Sequence, residues 1–312
     1  MSADFLRLHY CPECNFGDVL GKQLVESMSG HRAVLCGSVR EAELVAVGSV
    51  FYFGHSLYCL KSDVLSFYGL RQIAKCLLLG KPCIKVWGSG FMFPRAGELL
   101  LRMCSLDVHC VRGLLTRDAL VERGFLAPDQ KVAVGDPGLL FPRLLKGPVR
   151  CECDIGVVAH YKDAEEGRAL VTALRKSGAN VRFIDVTQSD ALGVVREIGS
   201  CSTILSSSLH GLIVADAFGI PNRHVCFSDL GISSDGFSAE AALFKFKDYF
   251  SAVRRPYHPI PDAKRLIEDP SLCWNLAGKN DVVSGDLLDE LSDGLIRSFP
   301  LALADDWRRQ LK

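Results

Sequence analysis

The sequence predicts an α/β protein in which two doubly wound parallel sheets face each other across a cleft. Short apolar runs alternate with helical patterns, and this alternation starts twice along the 312-residue chain. Buried strands joined by helical crossovers are typical of parallel sheets, and a chain of this length accommodates two domains of ordinary size. Such sheets bind ligands beyond the carboxyl ends of their strands, so the residues that follow each strand are the candidates for function.

The first Rossmann-like domain is predicted over residues 1–145. Its apolar runs predict strands, and its longer periodic segments predict helices. The strands cover residues 6–10, 33–36, 44–47, 83–87, 108–111 and 132–134, and the helices cover 18–28, 66–79 and 116–123. The proline- and glycine-containing segment 142–148 is the predicted linker.

The second Rossmann-like domain is predicted over residues 150–280 and repeats the pattern. Strands are predicted at 154–159, 180–185, 203–205 and 224–227, and helices at 164–177, 190–198 and 209–218. Residues 285–312 form a separate tail, in which Leu287, Leu288, Leu291, Leu295 and Ile296 have helical spacing. We expect this tail to pack on one of the two domains.

The composition indicates a globular protein with a substantial core and a net charge close to zero. Apolar residues make up 48% of the chain, and 36 Lys and Arg residues balance 36 Asp and Glu residues. Nothing indicates wholesale nucleic-acid binding, so any cationic site must be local. The amino terminus lacks a signal-peptide pattern, and no apolar stretch reaches the roughly 18–20 residues of a membrane span. We expect a cytoplasmic protein that visits the inner face of a membrane only to meet a lipid-linked substrate.

The 13 cysteines do not predict a metal site. The close pairs are Cys11 with Cys14 and Cys151 with Cys153. A zinc site needs four ligands, and these pairs have different spacings and lie far apart in sequence. We expect mostly buried, reduced thiols, with no metal and no other cofactor.

The motif Ser206-Ser207-Ser208-Leu209-His210-Gly211 is the most informative feature of the chain. It follows the apolar run 203–205 and opens the helical pattern 209–218. The unpaired N–H groups and positive dipole end of such a helix bind anions. The dipole disfavours a protonated His210, and a bound anion favours it again. This coupling suits a proton donor or acceptor that works on an anionic substrate, and a capping or core histidine is the structural alternative.

Three glycine-containing motifs follow strands of the first domain. Asn15-Phe16-Gly17-Asp18 opens the first helix, where a plain N-cap competes with a role for Asp18 in orienting or deprotonating a substrate hydroxyl. Trp87-Gly88-Ser89-Gly90 closes a strand and places Ser89 at the cleft. Gly135-Asp136-Pro137-Gly138 is interpreted first as a turn.

Basic side chains also stand at strand ends. Arg112 emerges directly from a strand, where a planar guanidinium can grip a carboxylate or phosphate. Arg117 is most simply a solvated helix residue, with ligand contact as the alternative. In the second domain, Gly156-Val157-Val158-Ala159-His160-Tyr161-Lys162-Asp163 places His160 where the first strand ends. We predict ligand contact for His160, and a structural histidine is the competing interpretation.

Taken in the order in which they occur along the chain, these motifs resemble those of the polysaccharide pyruvyl transferase family. Two further segments contribute, Gly219-Ile220-Pro221 and Phe246-Lys247-Asp248-Tyr249-Phe250. The resemblance runs from about residue 7 to about residue 255, and the block 206–221 is its most specific part. It implies a glycosyltransferase-B-like fold. It also implies a ketal-forming transferase that moves the enolpyruvyl skeleton of phosphoenolpyruvate onto a sugar of a cell-surface precursor, as in capsule or exopolysaccharide biosynthesis.

The resemblance also implies roles for individual residues, with the first domain on the acceptor side and the second on the donor side. Catalysis would fall to His210, Asp18 and His160, donor binding to Arg112, Arg117, Ser206, Ser207, Ser208, Leu209, Gly211 and Lys245, and acceptor binding to Asn15, Gly17 and Ser89. One position departs from the pattern, because many members carry arginine two residues before the histidine that matches His210. This chain has Ser208 there, so Arg112, Lys245 or another cation must take over, or the donor differs.

Two alternatives stay open at this point. A sugar-nucleotide-dependent glycosyltransferase or epimerase of the same architecture also binds phosphate at a helix start, and Asp216 lies roughly where such enzymes hold a ribose. A non-catalytic glycan- or anion-binding protein would accommodate Ser208. The sequence specifies neither the acceptor sugar and its bridged hydroxyls nor whether the chain forms a homo-oligomer.

Overall fold

The computed structural model describes residues 5–10, 16–36, 41–49, 78, 80–93, 104–227, 243–260, 262–275 and 282–311. Within these residues the chain forms two β-sheets. The first contains β1 (Phe5–His9), β2 (Arg32–Leu35), β3 (Leu44–Ala46), β4 (Cys83–Ser89), β5 (Ser105–Val111) and β6 (Ala133–Val134). The second contains β7 (Cys153–Ala159), β8 (Val181–Asp185), β9 (Cys201–Ser206) and β10 (Asn222–His224).

All strand pairings in the described residues are parallel, which confirms the predicted α/β class. The strand order is β2-β1-β3-β4-β5-β6 in the first sheet and β10-β9-β7-β8 in the second. In each sheet the chain first moves to one side of the starting strand and then to the other. The resulting crevices, between β1 and β3 and between β7 and β9, are where ligands bind in sheets of this type.

Helices connect the strands and cover the sheets. They are α1 (Phe16–Ser29), α2 (Leu114–Glu122), α3 (Ala164–Lys176), α4 (Ala191–Gly199), α5 (Leu209–Ala217), α6 (Phe244–Ala252), α7 (Lys264–Glu268), α8 (Gly285–Arg297) and α9 (Asp305–Arg308). Short 3-10 helices cover Pro137–Leu144, Tyr161–Asp163 and Pro270–Asn275. Local capping sets several starts: Asp190 accepts the N–H of Gly193 at α4, and Ser284 accepts the N–H of Leu287 at α8.

The predicted elements lie close to the observed ones, with ends displaced by a few residues. Two differ more. The last predicted strand, 224–227, is observed as Asn222–His224. The start of the predicted linker, 142–144, belongs to the 3-10 helix Pro137–Leu144, because Leu139, Leu140 and Phe141 are buried there. Asn15, the Cys11–Cys14 pair and the predicted helix 66–79, except for Leu78, lie outside the described residues.

The carboxyl-terminal tail packs on the first sheet. Trp87 at the end of β4 donates its indole N–H to the carbonyl of Leu295 at 2.9 Å, and its ring lies edge-on to Phe299 at 5.0 Å. Trp307 donates to the hydroxyl of Ser27 on α1 at 2.9 Å. The last helices therefore cover part of the first sheet and of α1.

Helix α5 lies at the centre of the molecule. Its residues from Leu209 to Asp216 are all buried, which is the pattern of a helix covered on every side. It packs against β9 and against the 3-10 helix Pro137–Leu144. One hydrophobic cluster runs through this region and includes Leu8 and Trp87 from the first sheet and Val158 from the second. No helix in the described part of the chain combines the length and apolar character needed to cross a bilayer.

Candidate active site

The starts of α1 and α5 meet at the carboxyl ends of the two sheets. A Cβ atom on Gly17 would overlap the imidazole of His210, so this approach requires glycine. The ring of Phe16 stands edge-on to that imidazole at 6.1 Å, and Phe141 lies 6.3 Å from it. The structure thus brings Gly17 and His210, predicted on opposite sides of a cleft, into direct contact.

His210 is a buried, uncharged imidazole. It is 7% exposed, and its Nε2 has no hydrogen-bond partner in the part of the chain that the structure describes. Burial lowers the pKa of His210 to about 3, and the positive charges of Lys245 and Arg112 add to the shift. A neutral ring with one unsatisfied nitrogen can accept a proton or a hydrogen bond from a ligand.

Lys245 on α6 supplies positive charge to this site. Burial, followed by the charge of Arg112, lowers the pKa of Lys245 to about 8, whereas the carboxylates of Asp18 and Asp163 oppose the shift. Its Nζ lies 5.2 Å from the centre of the Phe246 ring. The carboxylates of Asp18 and Asp163 offset part of its positive charge. A cation beside a helix start favours an anionic ligand.

The three serines before α5 have different roles. The hydroxyl of Ser206 lies 2.9 Å from the carbonyl of Val158 and accepts the N–H of Ser208 at 3.0 Å, so it fixes the turn. The hydroxyl of Ser207 accepts the N–H of His160 at 2.9 Å. The Ser208 side chain makes no capping hydrogen bond to α5, so no serine oxygen occupies the first-turn N–H groups at this helix start.

Gly211 allows this turn to close. A Cβ atom at Gly211 would overlap the hydroxyl of Ser206 and crowd Val158. Leu209 is 7% exposed and belongs to the hydrophobic core that supports the turn. The predicted donor-binding segment is therefore a rigid start of α5.

His160 stands in the crevice between β7 and β9. It follows β7, whose Val158 pairs with Ser206 of β9, and it is half-buried. Burial, together with the charges of Lys245 and Lys162, lowers the pKa of His160 to about 4. The structure thus brings His160, the serine turn and Lys245 together.

Arg112 is placed differently from the prediction of an open strand end. Its side chain is fully buried, and its Nε lies 3.0 Å from a carboxylate oxygen of Asp248 on α6. Its other nitrogens donate to the hydroxyl of Ser49 and the carbonyl of Phe91. These partners are all protein groups, so direct contact between Arg112 and a ligand stays a prediction.

Arg117 on α2 has protein partners as well. One nitrogen donates to the carbonyl of Pro128 at 3.5 Å, and another lies 3.5 Å from a carboxylate oxygen of Asp118. The structure therefore gives Arg117 a position on the helix surface, and its ligand contact stays a prediction.

The acceptor-side residues lie at the ends of β1, β3 and β4. Asp18 is half-buried in the first turn of α1, and a Cβ atom on Gly48 would lie 3.1 Å from its Oδ1. Ser89 is fully buried, and its hydroxyl has no partner among the described residues. Asp136 is also fully buried. Its Oδ1 accepts the N–H of Gly138 at 2.8 Å, while its Oδ2 has no partner within the described ranges.

Asp216 belongs to a buried network that does not face a ligand site. Its carboxylate accepts hydrogen bonds from Asn222 at 2.6 Å and Tyr249 at 2.8 Å and forms an ion pair with Arg255 at 3.0 Å. These contacts join α5, β10 and α6. The carboxylate is therefore already occupied, which disfavours the ribose-binding role considered for a nucleotide-sugar enzyme.

Sequence reasoning missed three residues of the site. His224 at the end of β10 stacks on Phe246 at 3.8 Å and lies 2.6 Å from the Tyr257 hydroxyl. Asp163 lies beside Lys245, and Asp248 holds Arg112. The available signals were the position of His224 at a strand end and the charged segment around Asp248, which was quoted only for its resemblance.

The sequence is similar to that of known proteins. The sequence profile of the polysaccharide pyruvyl transferase family matches residues 15–225. An uncharacterized protein of Acanthamoeba polyphaga mimivirus is 31% identical over 147 residues, which cover 46% of this chain and 47% of that protein. The match thus spans about half the length of this curated relative.

The solved structures that match the chain have low sequence identity to it. A glycosyltransferase of Streptomyces sp. SF2575, SsfS6, has a TM-score of 0.42 at 10% identity and matches over 99% of both chains. The UDP-GlcNAc 2-epimerase of Methanocaldococcus jannaschii has a TM-score of 0.44 at 10% identity, covering 92% of this chain and 97% of its own.

Proposed function

Because the chain belongs to the polysaccharide pyruvyl transferase family, we propose that it transfers the enolpyruvyl skeleton of phosphoenolpyruvate to a sugar of a cell-surface polysaccharide precursor. The product is a pyruvate ketal, and inorganic phosphate is released. The observation that carries this proposal is the buried neutral imidazole of His210 at the start of α5, close to the positive charge of Lys245. Its Nε2 has no partner among the described residues.

The reaction requires an acid, a base and fixed positive charge. A proton adds to the methylene carbon of phosphoenolpyruvate and leaves an oxocarbenium-like centre on the neighbouring carbon. One sugar hydroxyl attacks this centre and loses its proton. A second hydroxyl then attacks the same carbon as phosphate leaves, its proton passes to the departing phosphate, and the ring closes. Positioned side chains and preset charges accelerate such proton and charge transfers.

Donor binding is assigned to the start of α5 and to Lys245. The first-turn N–H groups of α5 have no side-chain cap from Ser208, so they can bind phosphate or carboxylate oxygens. Lys245 would supply the positive charge that many relatives place at the position of Ser208. The buried Arg112 supports this arrangement by holding Asp248 on the same helix as Lys245.

Proton transfer is assigned to His210 and to the acceptor side of the site. The ring is neutral in the free protein chiefly because it is buried, and the charges of Lys245 and Arg112 add to this effect. An anionic donor would offset those charges and pair directly with the imidazolium, and we assign proton uptake on donor binding to His210. His210 then protonates the methylene carbon. Asp18 or His160 receives the proton of the attacking hydroxyl, while Asn15, Gly17 and Ser89 contact the acceptor sugar.

The central experiment measures ketal formation by the purified protein. We expect phosphate release from phosphoenolpyruvate and, by mass spectrometry, a glycan adduct equal to pyruvic acid minus water. His210→Ala should abolish both products, whereas His31→Ala, at an exposed histidine, should retain them. Normal ketal formation by His210→Ala would remove His210 from the mechanism. Comparing glycan intermediates from cells with and without the protein would then identify the acceptor.

Thermal stabilisation separates this donor from nucleotide sugars. A ligand raises the melting temperature according to its affinity and concentration. Phosphoenolpyruvate should stabilise the protein, and a panel of nucleotide sugars should not. Stabilisation by a nucleotide sugar alone would instead support a glycosyltransferase or epimerase. Donor binding without phosphate release in the presence of acceptor glycans would support a non-catalytic binding protein.

A further inference from the structure

One ring nitrogen of His160 forms a hydrogen bond within the protein. Its Nδ1 accepts the backbone N–H of Lys162 at 3.3 Å and caps the 3-10 helix Tyr161–Asp163. A neutral imidazole has one acceptor and one donor nitrogen. Because Nδ1 is the acceptor, the single proton of the neutral ring lies on Nε2. No hydrogen bond to Nε2 occurs among the described residues, so this N–H is available to a ligand.

The ring is also held in a fixed position. The backbone N–H of His160 donates to the Ser207 hydroxyl at 2.9 Å, and its carbonyl accepts the N–H of Asp163 at 2.8 Å. The imidazole lies on the ring of Tyr161 at 4.3 Å and an angle of 34°. These contacts join the end of β7 to the turn before α5. The Ser207 hydroxyl is therefore used to position His160.

Burial and the positive charges around His160 keep its ring neutral. Lys245 approaches from α6, and Lys162 lies on the 3-10 helix that His160 caps. The carboxylate on the same element, Asp163, interacts with the Ser207 hydroxyl and with both lysines. Burial and the two lysines lower the pKa of His160 to about 4, so the imidazolium is rare at neutral pH.

We propose that His160 binds the anionic donor as a neutral imidazole through its Nε2–H and transfers no proton. This inference rests on the proposed function, in which the donor is phosphoenolpyruvate. It leaves Asp18, of the two candidates, to receive the proton of the sugar hydroxyl. A neutral imidazole that polarises a substrate oxygen is a known catalytic arrangement, as in triosephosphate isomerase.

Two substitutions distinguish an N–H that only forms a hydrogen bond from a catalytic acid or base. His160→Gln places an amide N–H near the position of Nε2 and does not titrate, whereas His160→Ala removes the hydrogen-bonding N–H. We expect His160→Gln to bind phosphoenolpyruvate within about 3-fold of wild type and to keep both limbs of the pH–rate profile. His160→Ala should lose about 10- to 100-fold in affinity, which corresponds to one hydrogen bond to a charged group. The inference is overturned if His160→Gln is as inactive as His160→Ala and loses one limb of the profile.

Nitrogen NMR of labelled histidine tests the tautomer directly and needs no turnover. The free protein should show a neutral His160 ring protonated on Nε2 at pH 6 to 8, and this pattern should persist with inorganic phosphate or phosphoenolpyruvate. A proton on Nδ1, or an imidazolium in the complex with phosphoenolpyruvate, overturns this inference alone. A protein that binds neither phosphoenolpyruvate nor phosphate overturns the proposed function as well.

Discussion

Arg112 and Asp248 form a fully buried ion pair across 136 residues of sequence, with Nε 3.0 Å from Oδ2. The same carboxylate accepts both the N–H and the hydroxyl of Thr116 at the start of α2. Asp248 lies on α6, which also carries Lys245. This ion pair therefore joins the helix that brings positive charge to the site to the first sheet.

Removing one partner of this ion pair should be severely destabilising. Asp248→Ala leaves the Arg112 guanidinium buried without a counter-ion and removes both Thr116 contacts. We expect a loss of about 3–5 kcal/mol in the free energy of unfolding, measured by urea denaturation. Glu290→Ala is the matched control, because its ion pair with Arg254 is 2.7 Å long but more than half exposed. That control should lose less than about 1 kcal/mol, and equal losses in both variants would contradict the prediction.

Gly17 should not tolerate a side chain. In Gly17→Ala the new methyl group would overlap the His210 imidazole, so either the ring or the start of α1 must move. We expect ketal formation to fall at least about 10-fold, because a misplaced catalytic group loses its alignment. Gly294→Ala on α8 is the control, since a Cβ atom there meets nothing within 4 Å. Full activity in both variants would show that the Gly17–His210 contact is dispensable.

Donor binding should be accompanied by proton uptake at His210. The pKa of His210 is about 3 in the free protein, chiefly because of burial and also because of Lys245 and Arg112. A bound anion offsets those two charges and pairs with the imidazolium, which raises this pKa. At pH 7 we expect wild type to take up a measurable fraction of a proton, up to about one, per phosphoenolpyruvate bound. Calorimetry in buffers of different ionisation enthalpy measures this number. His210→Gln should take up none, and unchanged uptake in that variant would assign the proton to another group.

Donor affinity should depend on the charge of Lys245. Burial and Arg112 lower the pKa of Lys245 to about 8, so the free protein loses this positive charge as the pH rises through that value. We expect the dissociation constant of phosphoenolpyruvate to increase above pH 8. Lys245→Met should weaken binding about 10- to 100-fold at pH 7 and remove this pH dependence, and Lys245→Arg should extend tight binding to higher pH. Lys247→Met on the same helix is the control, and an effect equal to that of Lys245→Met would point to a general loss of helix charge.

Asp136 should make the protein less stable as the pH rises from 4 to 7. Burial and the negative charge of Asp248 raise the pKa of Asp136 from 3.8 to about 6. The hydrogen bond from the N–H of Gly138 and the positive charge of Arg112 act in the opposite direction. The folded state thus binds this proton more tightly than the unfolded state. Its contribution to stability is full below pH 4 and is lost as the pH rises through about 6, on the order of 2–3 kcal/mol.

Asp136→Asn tests this prediction because it keeps the shape of the side chain without its charge. We expect its stability relative to wild type to increase between pH 4 and pH 7 in urea denaturation experiments. Asp118→Asn, at an exposed aspartate, should follow wild type across the same range. A constant difference between Asp136→Asn and wild type would mean that folding does not shift the pKa of Asp136.

Strand-end motifs were predictable from sequence because they depend on local pattern. Periodicity places β7 and α5 within a residue or two, and the polar turn between β9 and α5 indicates His210 from sequence alone. Parallel sheets bring strand ends to one edge, so the proximity of His160 to the serine turn also followed from topology.

The partners of buried charges were not predictable, because they come from distant segments. The sequence predicts an open ligand contact for Arg112, since nothing near it in sequence indicates Asp248. It offers Lys245 as a replacement cation, but the position of Lys245 beside His210 depends on how α6 packs. Asp136 was interpreted as a turn residue, which its contact with Gly138 supports, while its unsatisfied second oxygen depends on packing from both sheets.

The contact of Trp87 with Leu295 and Phe299 has a consequence for biosynthesis. A strand near the start of the chain finds part of its covering only when the final helices have been made. The first domain therefore cannot reach its finished state while the ribosome is still translating the second. Its folding is completed only once Leu295 and Phe299 have been made, and a message truncated shortly before Leu295 would yield a product with an uncovered indole, open to chaperones and proteases.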